Sequence, residues 1–357
     1  MNKQSDQQDA LHQGRAAELD ILAKEAAILD ASESVNTRRA IEGAVNHFTL
    51  EYGGLLPCTG EQLKNYLVRY AGELSVATLE QRRVLLGRWH KENGFATNPN
   101  DSELVRQVMR GIRRKYGRKQ KQARPAPLRL IHQVVNWLDQ QALHNTESPP
   151  VFRQALRDKA MLLTSFWFGL RSSELIGLRV CDVTLHWDAE VPYMELYLAK
   201  SKTDREGLGQ VKKLESLANL CPMEAIRTWL EAGFHGVARP TFLNSDAPLF
   251  AAVSRWGEIS SQHIHPNSVN KMIKSLFQKA GVDATEYSSH SMRRGVANWI
   301  IDSGASVAEL TEWIGWRDTR TAMRYLDGKS SLPSKIIERH LGAGRAPLLT
   351  TDKTADE

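Results

Sequence analysis

The stretch from Arg118 to Pro127, RKQKQARPAP, constrains the chain most, because no regular element passes through it. Two prolines remove backbone donors, the charges favour an extended path, and no hydrophobic period crosses the segment. The residues on either side must therefore bury separate cores. With 357 residues, two domains also agree with chain length.

The N-terminal side reads as helical throughout. Residues 1–33 form a polar arm with one helix, marked by a stripe of Leu19, Leu22, Ala26 and Leu29. Residues 34–117 contain four helices with short connections. The first begins near Ser34 and ends at Gly53-Gly54. The second and third open with the boxes Thr59-Gly60-Glu61-Gln62 and Thr78-Leu79-Glu80-Gln81, and the fourth runs from about Asn100 to Gly117.

Residues 128–341 make the larger domain. Leu128–Gln141 and 151–168 carry helical patterns, and Gly169-Leu170-Arg171-Ser172-Ser173-Glu174-Leu175 reads as a turn into a new helix. The period then drops to two. Tyr193, Glu195 and Tyr197 alternate with Met194, Leu196 and Leu198, and 210–214 returns as the second strand of a hairpin. Further helices are expected from Pro222 through Leu230, from 267 to 280, at His290, from Ser306 to Gly315, and over 321–326. The capping box Ser306-Val307-Ala308-Glu309 marks one start clearly. A short amphipathic helix over 332–341 and a polar, disordered tail over 342–357 complete the reading. The expected fold class is mainly α with a small antiparallel sheet.

Composition excludes several classes. At 41% hydrophobic and 25% charged residues, the chain resembles an ordinary globular protein. The first ten residues are polar, so no secretory signal is expected, and the longest apolar run falls short of the roughly 20 residues of a membrane span. Cys58, Cys181 and Cys221 are scattered, as reduced cytoplasmic thiols are. His263 and His265 lack nearby acidic or cysteine companions, so no metal site is expected.

The net charge of +6 is clustered. Arg82, Arg83, Arg88 and Lys91 lie on the third helix, and Arg106, Arg110, Arg113 and Arg114 on the fourth. Arg118, Lys119, Lys121 and Arg124 continue into the connector. Basic faces running into a basic strap suit a nucleic-acid backbone, where neutralising phosphates releases counterions.

The chemistry is concentrated near the C-terminus. His290 and Arg293 stand three apart, so a helix presents them on one side, and Tyr325 follows alone. That set suggests covalent attack on a phosphodiester. A phenol with a reference pKa of about 10 needs a base, and the phosphoryl oxygens need a fixed cation. Arginine grips two phosphate oxygens and keeps its charge.

Five motifs in order carry a resemblance to the tyrosine recombinase (phage integrase) family, above all to its Cre-like two-domain members. They are GLRSSEL at 169–175, KSKT at 200–203, HSMRR at 290–294, GW at 315–316 and RYL at 324–326. The resemblance covers about residues 34–341. It implies a SAM-like helical core-binding domain and an α+β catalytic domain ending in a docking helix. Arg171 and Arg293 would grip the scissile phosphate, with Glu174 the acid beside Arg171. Lys202 would be the hairpin lysine, His290 the histidine of the His-x-x-Arg motif, and Tyr325 the nucleophile. Trp316 stands where many members carry a second histidine; it can donate a hydrogen bond but cannot exchange a proton. Arg294 would contact the DNA backbone or pack beside the site.

The implied activity is cleavage and rejoining of DNA through a 3′-phosphotyrosyl link, without cofactor, metal or ATP. The implied partners are double-stranded DNA with inverted-repeat half-sites, three further copies in a homotetramer, and an accessory protein in some systems. The implied setting is the cytoplasm of a bacterium or the host of a phage or mobile element. A type IB topoisomerase and a non-catalytic DNA-binding regulator of the same fold are the alternatives. Integration, excision and resolution are not separated by these residues.

Overall fold

The structure is a computed structural model that describes residues 34–118, 122–199, 208–233, 246–316 and 319–326, with a few helical positions between 20 and 28. Lys119, Lys121, Lys202 and the expected helix over 332–341 lie outside the described residues. The chain divides into two compact units, Met1–Lys121 and Gln122–Glu357.

In the first unit, α1 (Val35–Asn46) continues into a π turn, His47–Glu51. Then follow α2 (Gly60–Arg69), α3 (Val76–Glu92) and α4 (Glu103–Tyr116). The Thr59 box forms: the Thr59 hydroxyl accepts from the Gln62 N–H at 3.2 Å, and Gln62 Oε1 accepts from the Thr59 N–H at 2.9 Å. α3 starts earlier than the Thr78 box suggests. Ser75 caps it, its hydroxyl accepting from the Thr78 N–H at 3.0 Å, and this places Thr78 inside the first turn. Phe48, Leu63, Tyr66, Leu67, Leu79, Leu86, Val105 and Met109 fill the core. Buried His90 tethers the loop before α2, where its Nε2 accepts from the Cys58 N–H at 2.9 Å.

The second unit is built on α5 (Leu128–His144) and α6 (Pro149–Trp167). From Ala160 to Trp167 every residue of α6 is buried, so this helix runs through the core rather than along it. A five-residue helix α7 (Ser172–Ile176) follows, then an antiparallel sheet of β1 (Val183–His186), β2 (Tyr193–Leu198) and β3 (Gln210–Glu215) in that order. β2 and β3 are the strands expected from the period-two pattern. β1 is only four residues long and carried no such pattern. A helix α8 (Pro222–Thr228), a two-stranded pair β4 (Ala251–Val253) and β5 (Ile259–His263), and α9 (Pro266–Lys279) precede the C-terminal helices. These are α10 (Ser289–Asp302), α11 (Val307–Ile314) and α12 (Thr319–Leu326). The Ser306 box caps α11, and Gly315 ends it with φ of 73°, a left-handed turn suited to glycine.

The stretch read as a connector is, in its second half, part of this unit. The Arg124 N–H donates to the Glu286 carbonyl at 2.9 Å and the Ala126 N–H to the Ser291 carbonyl at 3.0 Å, with Ala126 fully buried. Gly295 makes room for the crossing: a Cβ there would lie 2.1 Å from the Ala126 carbonyl oxygen. The connector thus lies directly on the helix that carries His290 and Arg293.

Candidate active site

Two arginines from distant stretches of the chain converge on one carboxylate. α6 ends at Phe168, and Gly169 takes a left-handed φ of 58° that redirects the chain into Arg171. Arg171 caps α7. Its N–H donates to Glu174 Oε2 at 2.8 Å, and its Nη1 donates to Glu174 Oε1 at 2.5 Å. The i, i+3 spacing seen in the sequence is therefore a capping arrangement, in which Glu174 holds both the backbone and the guanidinium of Arg171.

Arg293 approaches the same carboxylate from α10. Its Nη1 donates to the Gly169 carbonyl at 2.5 Å and lies 4.0 Å from Glu174 Oε2. Its guanidinium carbon sits 5.6 Å from the centroid of the Trp316 ring, which the turn after α11 delivers. The Trp316 N–H is fixed by the Thr311 carbonyl at 2.9 Å. Glu174 and Arg293 are buried, Trp316 is half-buried, and His290 stands exposed in the first turn of α10. One carboxylate between two guanidiniums leaves a surplus of positive charge, which suits an oxyanion in a poorly solvated site.

Arg171, Glu174, Arg293 and Trp316 are thus assembled. Tyr325 lies on α12, which packs against α10 and α11 and buries Ala322 in the core. Sequence reasoning missed Lys212. It lies on β3 with its ammonium donating to the Phe168 carbonyl at 3.4 Å and to the Trp313 carbonyl. Burial, followed by the charge of Arg293, pushes its pKa down to about 8. Parity was the available signal: Lys212 shares the inward face of β3 with Leu214 and pairs with buried Leu196.

The basic residues of the first unit fall into two groups. Arg83 is mostly buried and bonds Glu80 and Asn100, and Arg113 reaches the same Glu80 at 2.6 Å. Burial opposes ionisation of Glu80, yet the hydrogen bonds from both arginines hold its pKa below the usual range. Arg88 pairs with Glu92, Arg106 and Arg110 with Glu103, and Arg82 donates to the Tyr66 hydroxyl at 3.4 Å. Lys91, Arg114 and Arg118 are exposed and form no ion pair with a described carboxylate. In the second unit, Arg124 lies 3.6 Å from Glu286, and Arg294 donates to Gln122.

The two histidines of the His-x-His pair have backbone partners. His263 bonds the Ile176 carbonyl at 2.6 Å, and His265 caps α9. Among the described residues, no cluster of three or more His, Cys, Asp or Glu could hold a metal ion, and no helix is long and apolar enough to cross a membrane.

Comparison with known proteins identifies the family of the chain. The profile of the phage integrase family matches residues 137–331, more than half of the chain. An integrase/recombinase XerD homologue of Selenomonas ruminantium is 26% identical over 325 residues, covering 88% of this chain and 84% of the relative. The Cre recombinase of Escherichia phage P1 is 24% identical, covering 79% and 80%. Among solved structures, the Tn1549 transposon integrase bound to transposon right-end DNA superposes with a TM-score of 0.55 at 14% identity, covering 87% of this chain and 95% of that one. The XerH recombinase in a post-cleavage complex gives 0.54 at 15% identity, covering 80% and 73%; these two likenesses speak for the fold.

The family match and the sequence relatives make this chain a DNA strand-cleaving and rejoining enzyme. The chain belongs to the phage integrase family of tyrosine recombinases, whose members carry out site-specific recombination.

Glu174 is the hub of the site, and its replacement leaves two cations facing one another. Glu174→Ala is expected to destabilise the second unit by about 3–5 kcal/mol, the usual cost of removing one partner of a buried pair. Chemical denaturation of the variant beside the unaltered protein measures this, and an unchanged midpoint would contradict the bridging role.

Proposed function

We propose that this chain is a site-specific recombinase that cuts each DNA strand with Tyr325 and exchanges strands within a homotetramer on paired inverted-repeat half-sites. The observation that carries the reading is the shared hold of Glu174 on Arg171 and Arg293, with Trp316 beside Arg293. Such a site grips a phosphate that carries one charge and tightens as attack adds a second.

The Tyr325 oxygen attacks phosphorus while the bond to the 5′ oxygen breaks. Lys202 protonates that leaving oxygen, and His290 accepts the tyrosine proton. The product is a 3′-phosphotyrosyl link with a free 5′ hydroxyl. Its bond energy is retained, so a 5′ hydroxyl from another strand can reverse the reaction without ATP. The expected result with a nicked half-site substrate is a covalent protein–DNA complex that Tyr325→Phe abolishes while binding persists. Binding without any covalent complex in the unaltered protein would instead favour a non-catalytic regulator.

DNA is held in part through the first unit, by the exposed cations Lys91, Arg114 and Arg118, while Arg83 supports the fold. Arg114→Ala is expected to weaken binding evenly across sequences and to reduce the salt slope of the association constant by about 1. Salt-titrated binding measures it, and an unaltered slope would remove Arg114 from the interface.

Assembly uses the segment over 332–341 as a helix passed to a neighbouring copy. An apolar groove of about 990 Å³, lined by Trp167, Leu214, Leu217, Trp299, Ile300 and Trp313, offers a receptor of suitable chemistry. Removing residues 331–357 is expected to leave half-site binding intact and to lose the tetramer on DNA in analytical ultracentrifugation. Undiminished assembly would exclude the exchange.

A further inference from the structure

Lysine is rarely found on the core face of a strand unless it has a partner, and the partners of Lys212 are two main-chain carbonyls. Both belong to helix ends. Phe168 closes α6 and directly precedes Gly169, whose carbonyl takes Arg293. Trp313 lies in the last turn of α11, three residues before Trp316. The carbonyl ends of helices carry partial negative charge, so an ammonium is well placed there. A second contact joins the same two ends, since the Trp313 indole N–H donates to the Trp167 carbonyl at 2.8 Å.

The charge balance points further. The titratable groups acting on Lys212 are Arg293 on α10 and Arg171 and Glu174 at α7, while Glu309 and Glu312 of α11 line the cleft beside it. Glu309 and Glu312 are exposed to solvent, so the shielded part of the cluster holds three cations, Arg171, Arg293 and Lys212, against the single buried carboxylate of Glu174. That surplus exceeds the one charge of a phosphodiester. It matches the two charges of the five-coordinate phosphorus formed on attack.

We infer that Lys212 is a positioning residue for strand cleavage, pinning together the helix ends that lead into Arg171 and Trp316 and supplying a third fixed positive charge beside Arg171 and Arg293. The inference rests on the recombinase reading above. Lys212 exchanges no proton with the substrate and makes no bond to it; its effect falls on the transition state rather than on DNA binding.

The pH dependence separates this role from packing. With its pKa lowered to about 8 from the ordinary 10.5, Lys212 binds its proton less readily in the folded than in the unfolded protein. Between those two values the unfolded state holds more protons, so the Lys212 contribution to stability rises with pH. Cleavage should move the opposite way, falling as the ammonium loses its charge.

The test is the rate of covalent complex formation on a nicked half-site duplex from pH 6 to 10, for the unaltered chain, Lys212→Arg, Lys212→Met and Tyr325→Phe. The unaltered chain is expected to lose rate above about pH 8. Lys212→Arg should retain part of the rate without that alkaline fall, and Lys212→Met should cleave at least tenfold more slowly at pH 7 with half-site affinity within twofold. If Lys212→Met does not fold, the profiles of the unaltered chain and Lys212→Arg decide. Lys212→Met cleaving at the unaltered rate, or the same alkaline fall in Lys212→Arg, would overturn this inference while leaving the recombinase reading in place. Absence of any Tyr325-dependent complex in the unaltered chain would overturn both.

Discussion

The site depends on the carboxylate of Glu174. Without it, Arg171 and Arg293 would face one another in a poorly solvated space, where their repulsion would be large. With it, both guanidiniums are oriented before any substrate arrives. The carboxylate is itself fixed by the N–H of Arg171 at the start of α7 and by burial, so its position follows from the local fold. Preorganised charge of this kind needs no rearrangement as charge develops on a phosphate.

The surrounding architecture supplies that junction from several directions. The buried helix α6 ends beside it, and the left-handed Gly169 turns the chain so that one carbonyl meets Arg293. The connector lies across α10 through the Ala126 N–H and the small Gly295. β3 sends Lys212 up from below, to the ends of α6 and α11. Each contact ties a separate stretch of sequence to the same small volume, which is why residues from 168 to 316 act together.

Local rules made much of this legible. The boxes at Thr59 and Ser306 have reciprocal hydrogen bonds within four residues, so they can be read directly from sequence. The alternation from Tyr193 to Leu198 likewise revealed a strand with one buried face. The spacing of Arg171 and Glu174 placed them together, but not their shared use by Arg293, which lies more than a hundred residues away. Glu80 shows the same limit: its contact with Arg113 crosses 33 residues, so a face that looked purely basic is partly neutralised. At α3 the box at Thr78 pointed to a later start, whereas Ser75, three residues earlier, caps the helix and places Thr78 in its first turn. Lys212 was hidden for another reason. Its parity pointed inward, but lysine is ordinarily a surface residue, and the carbonyls that receive it come from helix ends remote in sequence.

On the proposed function, the phenolic oxygen of Tyr325 becomes bonded to DNA phosphorus beside the arginine pair. The most direct measurement is mass spectrometry of peptides from the protein digested after reaction with a nicked half-site. A single modified peptide is expected, with a 3′-phosphoryl nucleotide on Tyr325. A nucleotide attached to any other residue would contradict it.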